Sequence, residues 1–221
     1  MLDFGVVVSA FAENGVPMRH HGAMYFAWIA TFVLVLVWSG IQPADYMTWG
    51  LEVFPALLGA AVLWFTRDSF PLTSLAYVLI LIHCIILMIG GHYTYAEVPL
   101  FDWLGDQFDW SRNNFDKLGH FAQGFVPAIV AREIVIRKNV FNDRRWRNFF
   151  IVCFCLGFSA FYELIEWWVA LLSAQAADSF LGTQGYIWDT QSDMAWALSG
   201  AVIGLVLLGR WHDRQLAARI R

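Results

Sequence analysis

At 221 residues, 59% hydrophobic, 14% charged and with a mean hydropathy of +0.54, the chain is far more apolar than an ordinary soluble domain. Its formal net charge of −4 offers no broad basic surface for nucleic acid. Three cysteines, Cys84, Cys153 and Cys155, all fall inside apolar runs, which fits neither a disulfide framework nor a zinc-finger spacing.

Apolar runs recur at close to the ~20 residues needed to cross a bilayer, so the expected fold is an all-α polytopic helical bundle in a membrane. Residues 1–23 come first. Met1 to Ala12 is apolar, yet no basic stretch precedes it and no small-residue cleavage pattern closes it. It is expected to be a cytoplasmic or interfacial leader and not a signal peptide.

Residues 24–209 then read as one six-helix transmembrane domain. The first span is Met24 to Ile41, and "QPAD" turns the chain between Trp38 and Trp49, residues suited to the interface. The second, Trp49 to Thr66, ends at "RDSFP", and the third is Leu72 to Gly91. A polar connection of about 92–115 follows, in which Glu97, Asp102, Asp106 and Asp109 alternate with Trp103, Phe108 and Trp110; an acidic, aromatic loop on the membrane surface is expected. The fourth span runs from Asp116 to about Ile136 and ends in the basic "RKNVFNDRRWR". The fifth is Asn148 to Leu172, the sixth is Trp188 to Gly209, and residues 210–221 form a basic tail with helical character.

Six spans place both termini on one side, and the positive charges say which. Arg19, Arg67, Arg137, Lys138, Arg144, Arg145, Arg147, Arg210, Arg214, Arg219 and Arg221 all fall there, against Arg112 and Lys117 opposite. Both termini are therefore expected in the cytoplasm. Arg132 and Glu133, near the same end of the fourth span, read as snorkelling residues. Gly200 and Gly204, with Gly209 beyond, give the sixth span a small-residue face that would admit a neighbouring helix closely, or are glycines scattered as membrane helices often have them.

Against this frame, the outer ends of three spans are unusually polar. Asp116 and His120 are four residues apart, Asp189 and Asp193 are four apart, and Glu163 and Glu166 are three apart, so each pair shares a helix face. Asp116 and Asp189 sit at helix starts, where an N-cap role would explain them. Glu163 and Glu166 have no such explanation. They lie toward the C-terminal end of their span, where the helix dipole opposes negative charge, and a carboxylate at mid-membrane costs about 2.5–3.5 kcal/mol on insertion scales.

Five clustered carboxylates cannot all ionise uncompensated. Some must be protonated, or paired with Lys117 or His120, or bound to a cation. Carboxylates with imidazole and no thiolate suit zinc, manganese or ferrous iron, whereas a carboxylate-only subset suits magnesium or calcium. The candidate metal ligands or acid/base groups are His120, Glu163, Glu166 and Asp193; Asp116 and Asp189 would hold partners in place, Lys117 would meet an anionic headgroup, and His92 is on the right side to join. His83 is deeper and is expected to pack within the bundle. No serine-nucleophile motif, phosphate-cradling loop or dinucleotide fingerprint occurs.

The stretches "GGHYTYAEVPLFDWL", "FDKLGHFAQGFVPAIVAREI", "GFSAFYELIEWWVAL" and "GTQGYIWDTQSDMAWALSGAVIG" closely resemble the YjdF family of bacterial inner-membrane proteins over nearly the whole chain after Met24. This implies a multi-pass helical protein of the plasma membrane and carries no activity with it. A looser resemblance is to VanZ-like membrane proteins, whose D-K-x-x-H-F, paired acids and later aspartate correspond to Asp116, Lys117, His120 and Phe121, then Glu163 and Glu166, then Asp189 and Asp193. Asp193 stands where asparagine is common in that group, and the first half of this chain has no clear counterpart there. That likeness implies a shared site and an envelope or lipid-linked substrate.

The expectation is thus an inner-membrane protein with a periplasm-facing carboxylate/histidine site. The site would bind a cation, a divalent metal ion among the candidates, or a polar lipid headgroup, and could serve an envelope-modifying enzyme. The competing expectations are a small proton- or ion-coupled transporter and a non-catalytic scaffold in which the cluster only fastens helices. The expected partners are the lipid bilayer and a lipid-linked substrate, not nucleic acid.

Overall fold

The computed structural model describes residues 19–172 and 184–220, so the expected leader lies outside the described residues as far as residue 18. Seven helices occur among the described residues and no strand: α1 (Arg19–Ser39), α2 (Tyr46–Thr66), α3 (Ser74–Tyr93), α4 (Pro99–Phe108), α5 (Phe115–Arg137), α6 (Arg144–Leu172) and α7 (Asp189–Ile220).

Five of them, α1, α2, α3, α6 and α7, are long and apolar enough to cross a membrane. The remaining long helix, α5, has 23 residues, but Asp116, Lys117, Arg132, Glu133 and Arg137 interrupt its apolar character. The expected 92–115 loop is not structureless. Pro99 sits in the first turn of α4, where its missing N–H is harmless, and Asp109 ends the helix in the left-handed conformation. Leu100, Trp103 and Phe108 leave α4 exposed, which is the amphipathic habit of a helix lying along an interface.

Helix ends follow their local chemistry. Asp45 caps α2, its carboxylate accepting from the Thr48 N–H at 2.7 Å, and those Thr48 hydrogen bonds hold its carboxyl below the ordinary value of 3.8. Thr73 caps α3. The expected N-cap roles of Asp116 and Asp189 are not found. Asn114 precedes α5 and places Asp116 inside its first turn, while Asp189 is the first helical residue of α7; both carboxylates turn sideways to basic side chains.

α5 packs most extensively on α7 and also touches α3 and α6, while α1 and α2 pack on α3. One apolar cluster joins Phe32, Val53, Ala56, Cys84 and Met88 across α1, α2 and α3, and another joins Ala128, Ile151, Cys155 and Ala201 across α5, α6 and α7. Glycine sets the α5–α7 distance. A Cβ on Gly124 would meet the Ala197 carbonyl oxygen at 1.7 Å, and one on Gly200 would meet that of Phe121 at 2.1 Å. Gly204 continues the contact at 3.0 Å from Phe125 O, whereas Gly209 has nothing within 4 Å.

Phe26, Leu34, Phe65, Trp64, Phe154 and Val206 all project from the bundle into its surroundings, the reverse of a water-facing surface. An apolar solvent is the condition under which such a surface is stable.

The basic end of the bundle corrects one expectation. Arg132 and Glu133 do not snorkel: they are 2% and 0% exposed. The Thr73 N–H donates to both Glu133 carboxylate oxygens at 2.9 and 3.1 Å, its hydroxyl donates at 2.7 Å, and Arg137 adds a contact at 2.9 Å. His212 Nε2 donates to Glu133 at 3.1 Å while Nδ1 accepts from Arg132 at 3.1 Å, and Arg132 also pairs with Asp213. The physical reason is that α7 continues unbroken to Ile220 and folds its last turns against α5, with His212 and Leu216 buried.

Candidate functional site

The opposite end of α5 carries the polar constellation. Its first turns present Asp116, Lys117 and His120, while α6 presents Glu163 and Glu166 and α7 presents Asp189 and Asp193; every one of these seven is at most 9% exposed. The 3.6-residue repeat explains why each pair faces inward together.

Lys117 Nζ lies between two carboxylates of α7, 2.8 Å from Asp189 Oδ1 and 2.6 Å from Asp193 Oδ1. Asp116 Oδ2, 3.6 Å away, is a third carboxylate partner of the Lys117 ammonium. Arg112, just before α5, is 2.5 Å from Asp189 Oδ1 and 3.6 Å from Asp116 Oδ2. The Tyr186 ring stands 5.5 Å from both the Arg112 guanidinium and Lys117 Nζ, within cation–π range.

His120 is held by both nitrogens. Nδ1 is 3.1 Å from Gln123 Oε1, which can only accept, so Nδ1 carries the proton and Nε2 is turned to the carboxylates. Nε2 is 3.3 Å from Asp116 Oδ1 and 3.7 Å from Glu163 Oε1. Ligand atoms of Asp116, His120 and Asp193 all lie within 4.8 Å of one another. Asp116 Oδ2 and Glu163 Oε1 are buried and accept no hydrogen bond.

His92 lies elsewhere. Its Nδ1 is 3.0 Å from the Ser39 carbonyl, its ring is 4.6 Å from that of Trp38, and its own carbonyl accepts from Ala44 N at 2.9 Å. It ties the end of α3 to the α1–α2 turn, because position beyond the third span fixed only its depth and not its direction. His83 is half-buried in α3 within electrostatic reach of His120.

One residue absent from the sequence-based set belongs beside the cluster. Glu52 of α2 is 4% exposed and accepts from the Tyr162 hydroxyl at 3.5 Å, with Asp116 and His120 in electrostatic range. Its signal was present: it is the single charged residue between Trp49 and Thr66, and a carboxylate inside an apolar span needs a reason. The Tyr95 ring fills the gap between α3 and α5 left by Gly90 and Gly119, where a Cβ would stand 2.2 and 2.8 Å from it.

The cluster thus sets six carboxylates, Glu52, Asp116, Glu163, Glu166, Asp189 and Asp193, against three basic groups, Arg112, Lys117 and His120. Two surface recesses flank it. One of about 200 Å³ reaches Arg112 under Phe101 and Trp110, and one of about 320 Å³ reaches Asp189 and Thr190 beside Tyr186.

A family described as "Predicted membrane protein (DUF2238)" matches residues 24–214. The chain is similar to the inner membrane protein YjdF of Escherichia coli (strain K12), with 51% identity over 190 residues, 84% of this chain and 89% of that protein. No solved structure matches it.

Proposed function

The chain belongs to the DUF2238 family of predicted membrane proteins, and on that premise we propose that it is a multi-pass protein of the bacterial inner membrane whose outer-end site accepts a cation on the periplasmic side. The observation that carries this reading is the charge imbalance of a buried cluster, six carboxylates facing three basic groups. Such an excess is stable in a low-dielectric interior only when protons or a bound cation neutralise it.

In this reading α5 is the sixth span. Its 23 residues reach about 35 Å at ~1.5 Å per residue, enough for a hydrocarbon core of ~30 Å, and its charged side chains are shielded by α3, α6 and α7. Orientation follows from the basic end. Arg137 and Arg219 both donate to the Pro71 carbonyl at 2.7 Å, so the α2–α3 turn, the end of α5 and the end of α7 share one face, which the positive-inside tendency assigns to the cytoplasm. The carboxylate cluster is then periplasmic.

A cation held there would polarise an oxygen of a lipid-linked or envelope substrate, with the neighbouring carboxylates available as acid or base. Native mass spectrometry of the detergent-purified protein tests the reading. A cation or an amine-headed lipid is expected on the wild type and lost from the Glu163→Gln/Asp193→Asn double variant; equal occupancy of both proteins contradicts it.

A second reading, a lock between α5 and α7, is supported by Lys117 bridging Asp189 and Asp193. It expects the double variant to unfold more easily with no change in bound species.

A further inference from the structure

We propose that Asp116, His120, Glu163 and Asp193 are the ligands of a divalent transition-metal ion of the zinc, manganese or ferrous class. This rests on the cation reading above and narrows it to one ligand chemistry.

Three of the four ligand atoms, those of Asp116, His120 and Asp193, converge within 4.8 Å, and Glu163 approaches from α6 on the His120 side alone. A tetrahedral ion with ligands at about 2.0–2.1 Å separates its ligand atoms by about 3.4 Å. His120 Nε2 is 3.3 Å from Asp116 Oδ1 and 3.7 Å from Glu163 Oε1, and Asp193 brings an oxygen within 4.8 Å of the Asp116 and His120 ligand atoms. Lys117 engages Asp193 through Oδ1, so Oδ2 is the oxygen that this pair leaves uncommitted.

A second observation is independent of the acidic character. Glu163 is 7% exposed, yet its Oε1 accepts no hydrogen bond and faces His120 Nε2. A buried carboxylate oxygen left without a partner costs about 1–3 kcal/mol or more, a cost that a bound cation at this position would remove.

The surroundings match those of metal-binding histidines. The Nδ1–H of His120 is committed to Gln123 Oε1, which fixes the tautomer and aims the Nε2 lone pair inward. Between two carboxylate oxygens, Nε2 carries either a proton or a metal. Imidazole in the set disfavours magnesium and calcium, and the absence of thiolate among the four disfavours soft ions. Arg112 and Lys117 hold Asp189 behind the ligands, while Lys117 also takes one oxygen of Asp193 and both cations stand 3.6 Å from Asp116 Oδ2.

The full-length protein, purified in detergent and stripped with a chelator, is dialysed against Zn²⁺ or Mn²⁺ and analysed for metal. Co²⁺ serves as the optical probe. One ion per chain and a visible Co²⁺ absorption band are expected, with His120→Gln and Glu163→Gln each weakening binding by at least about tenfold. Gln123→Ala, which removes no ligand, is expected to weaken it about 10- to 100-fold. Because a ligand variant can misfold, the unfolding temperature of the wild type is also followed; it should rise on adding Zn²⁺. Helical wild-type protein that holds no stoichiometric metal, with no thermal shift, overturns the proposal in favour of an imidazolium–carboxylate pair. If that stripped protein still retains phosphatidylethanolamine in nanodiscs, the metal assignment fails and the cation reading stands. Loss of both overturns both.

Discussion

His120 Nε2 and Glu163 Oε1 face each other across the α5–α6 interface at 3.7 Å, and the glutamate oxygen accepts no hydrogen bond of its own. The two stand 43 residues apart in the chain, each within a short polar stretch of an otherwise apolar helix. Together with Asp116 and Asp193 they turn a helix junction into a place where a positive charge would be held.

Lys117 should couple to Asp193 more strongly than any surface pair. Lys117→Met removes the ammonium from two buried carboxylates and is expected to cost about 3–5 kcal/mol. Lys117→Met/Asp193→Asn should recover part of that loss, since the neutral amide no longer requires a counter-charge. Chemical unfolding of the four proteins in detergent, read as a double-mutant cycle, checks the sign and size of the coupling.

Glycine substitutions along the α5–α7 contact should rank by available space. Gly124→Ala and Gly200→Ala place a methyl 1.7 and 2.1 Å from a carbonyl oxygen and must push the helices apart, at a cost of about 3 kcal/mol or more. Gly204→Ala, at 3.0 Å, should cost less, and Gly209→Ala, with open space, should be nearly neutral or slightly stabilising. Thermal unfolding of the series gives the order directly.

These two regions differ in how far the chain alone disclosed them. Glu163 and Glu166 stood out because a mid-span carboxylate has no inexpensive local explanation, and the four-residue spacings of α5 and α7 disclosed which residues share a face. Glu52 carries the same signal more weakly, being one acid in a long apolar run with no acidic partner on its helix face. The fate of Arg132 and Glu133 was not legible locally. Their burial depends on His212, about 80 residues away, and on α7 continuing past the expected end of its span. The expected six apolar spans became five plus a polar α5, because α5 is shielded by its neighbours rather than by its own composition.

The lock at the basic end should be sensitive to its node. Glu133→Ala leaves Thr73, Arg137 and His212 without their common acceptor and is expected to cost about 3–5 kcal/mol. It should also loosen the α2–α3 turn and the last turns of α7 together. Hydrogen exchange checks this: protection should fall in both segments in Glu133→Ala, and in neither for Arg214→Ala, whose side chain is exposed.

Asp45 gives a pH signature at the start of α2. Its folded-state carboxyl is held below 3.8 by Thr48, so the stabilisation it supplies is complete above 3.8 and disappears as pH falls through the lower folded value. Asp45→Ala should cost about 1 kcal/mol at neutral pH, with the difference from wild type shrinking in acid. Asp45→Asn, which still caps, should show little loss at neutral pH and none of this pH dependence. Thermal unfolding between neutral and acidic pH measures both.

The most direct measurement is X-ray absorption at the zinc edge of the zinc-loaded protein in detergent. Four nitrogen and oxygen neighbours at about 2.0–2.1 Å are expected, with the scattering signature of one imidazole that vanishes in His120→Gln. A shell of sulfur at about 2.3 Å, or a spectrum unchanged by His120→Gln, would contradict a site built from Asp116, His120, Glu163 and Asp193.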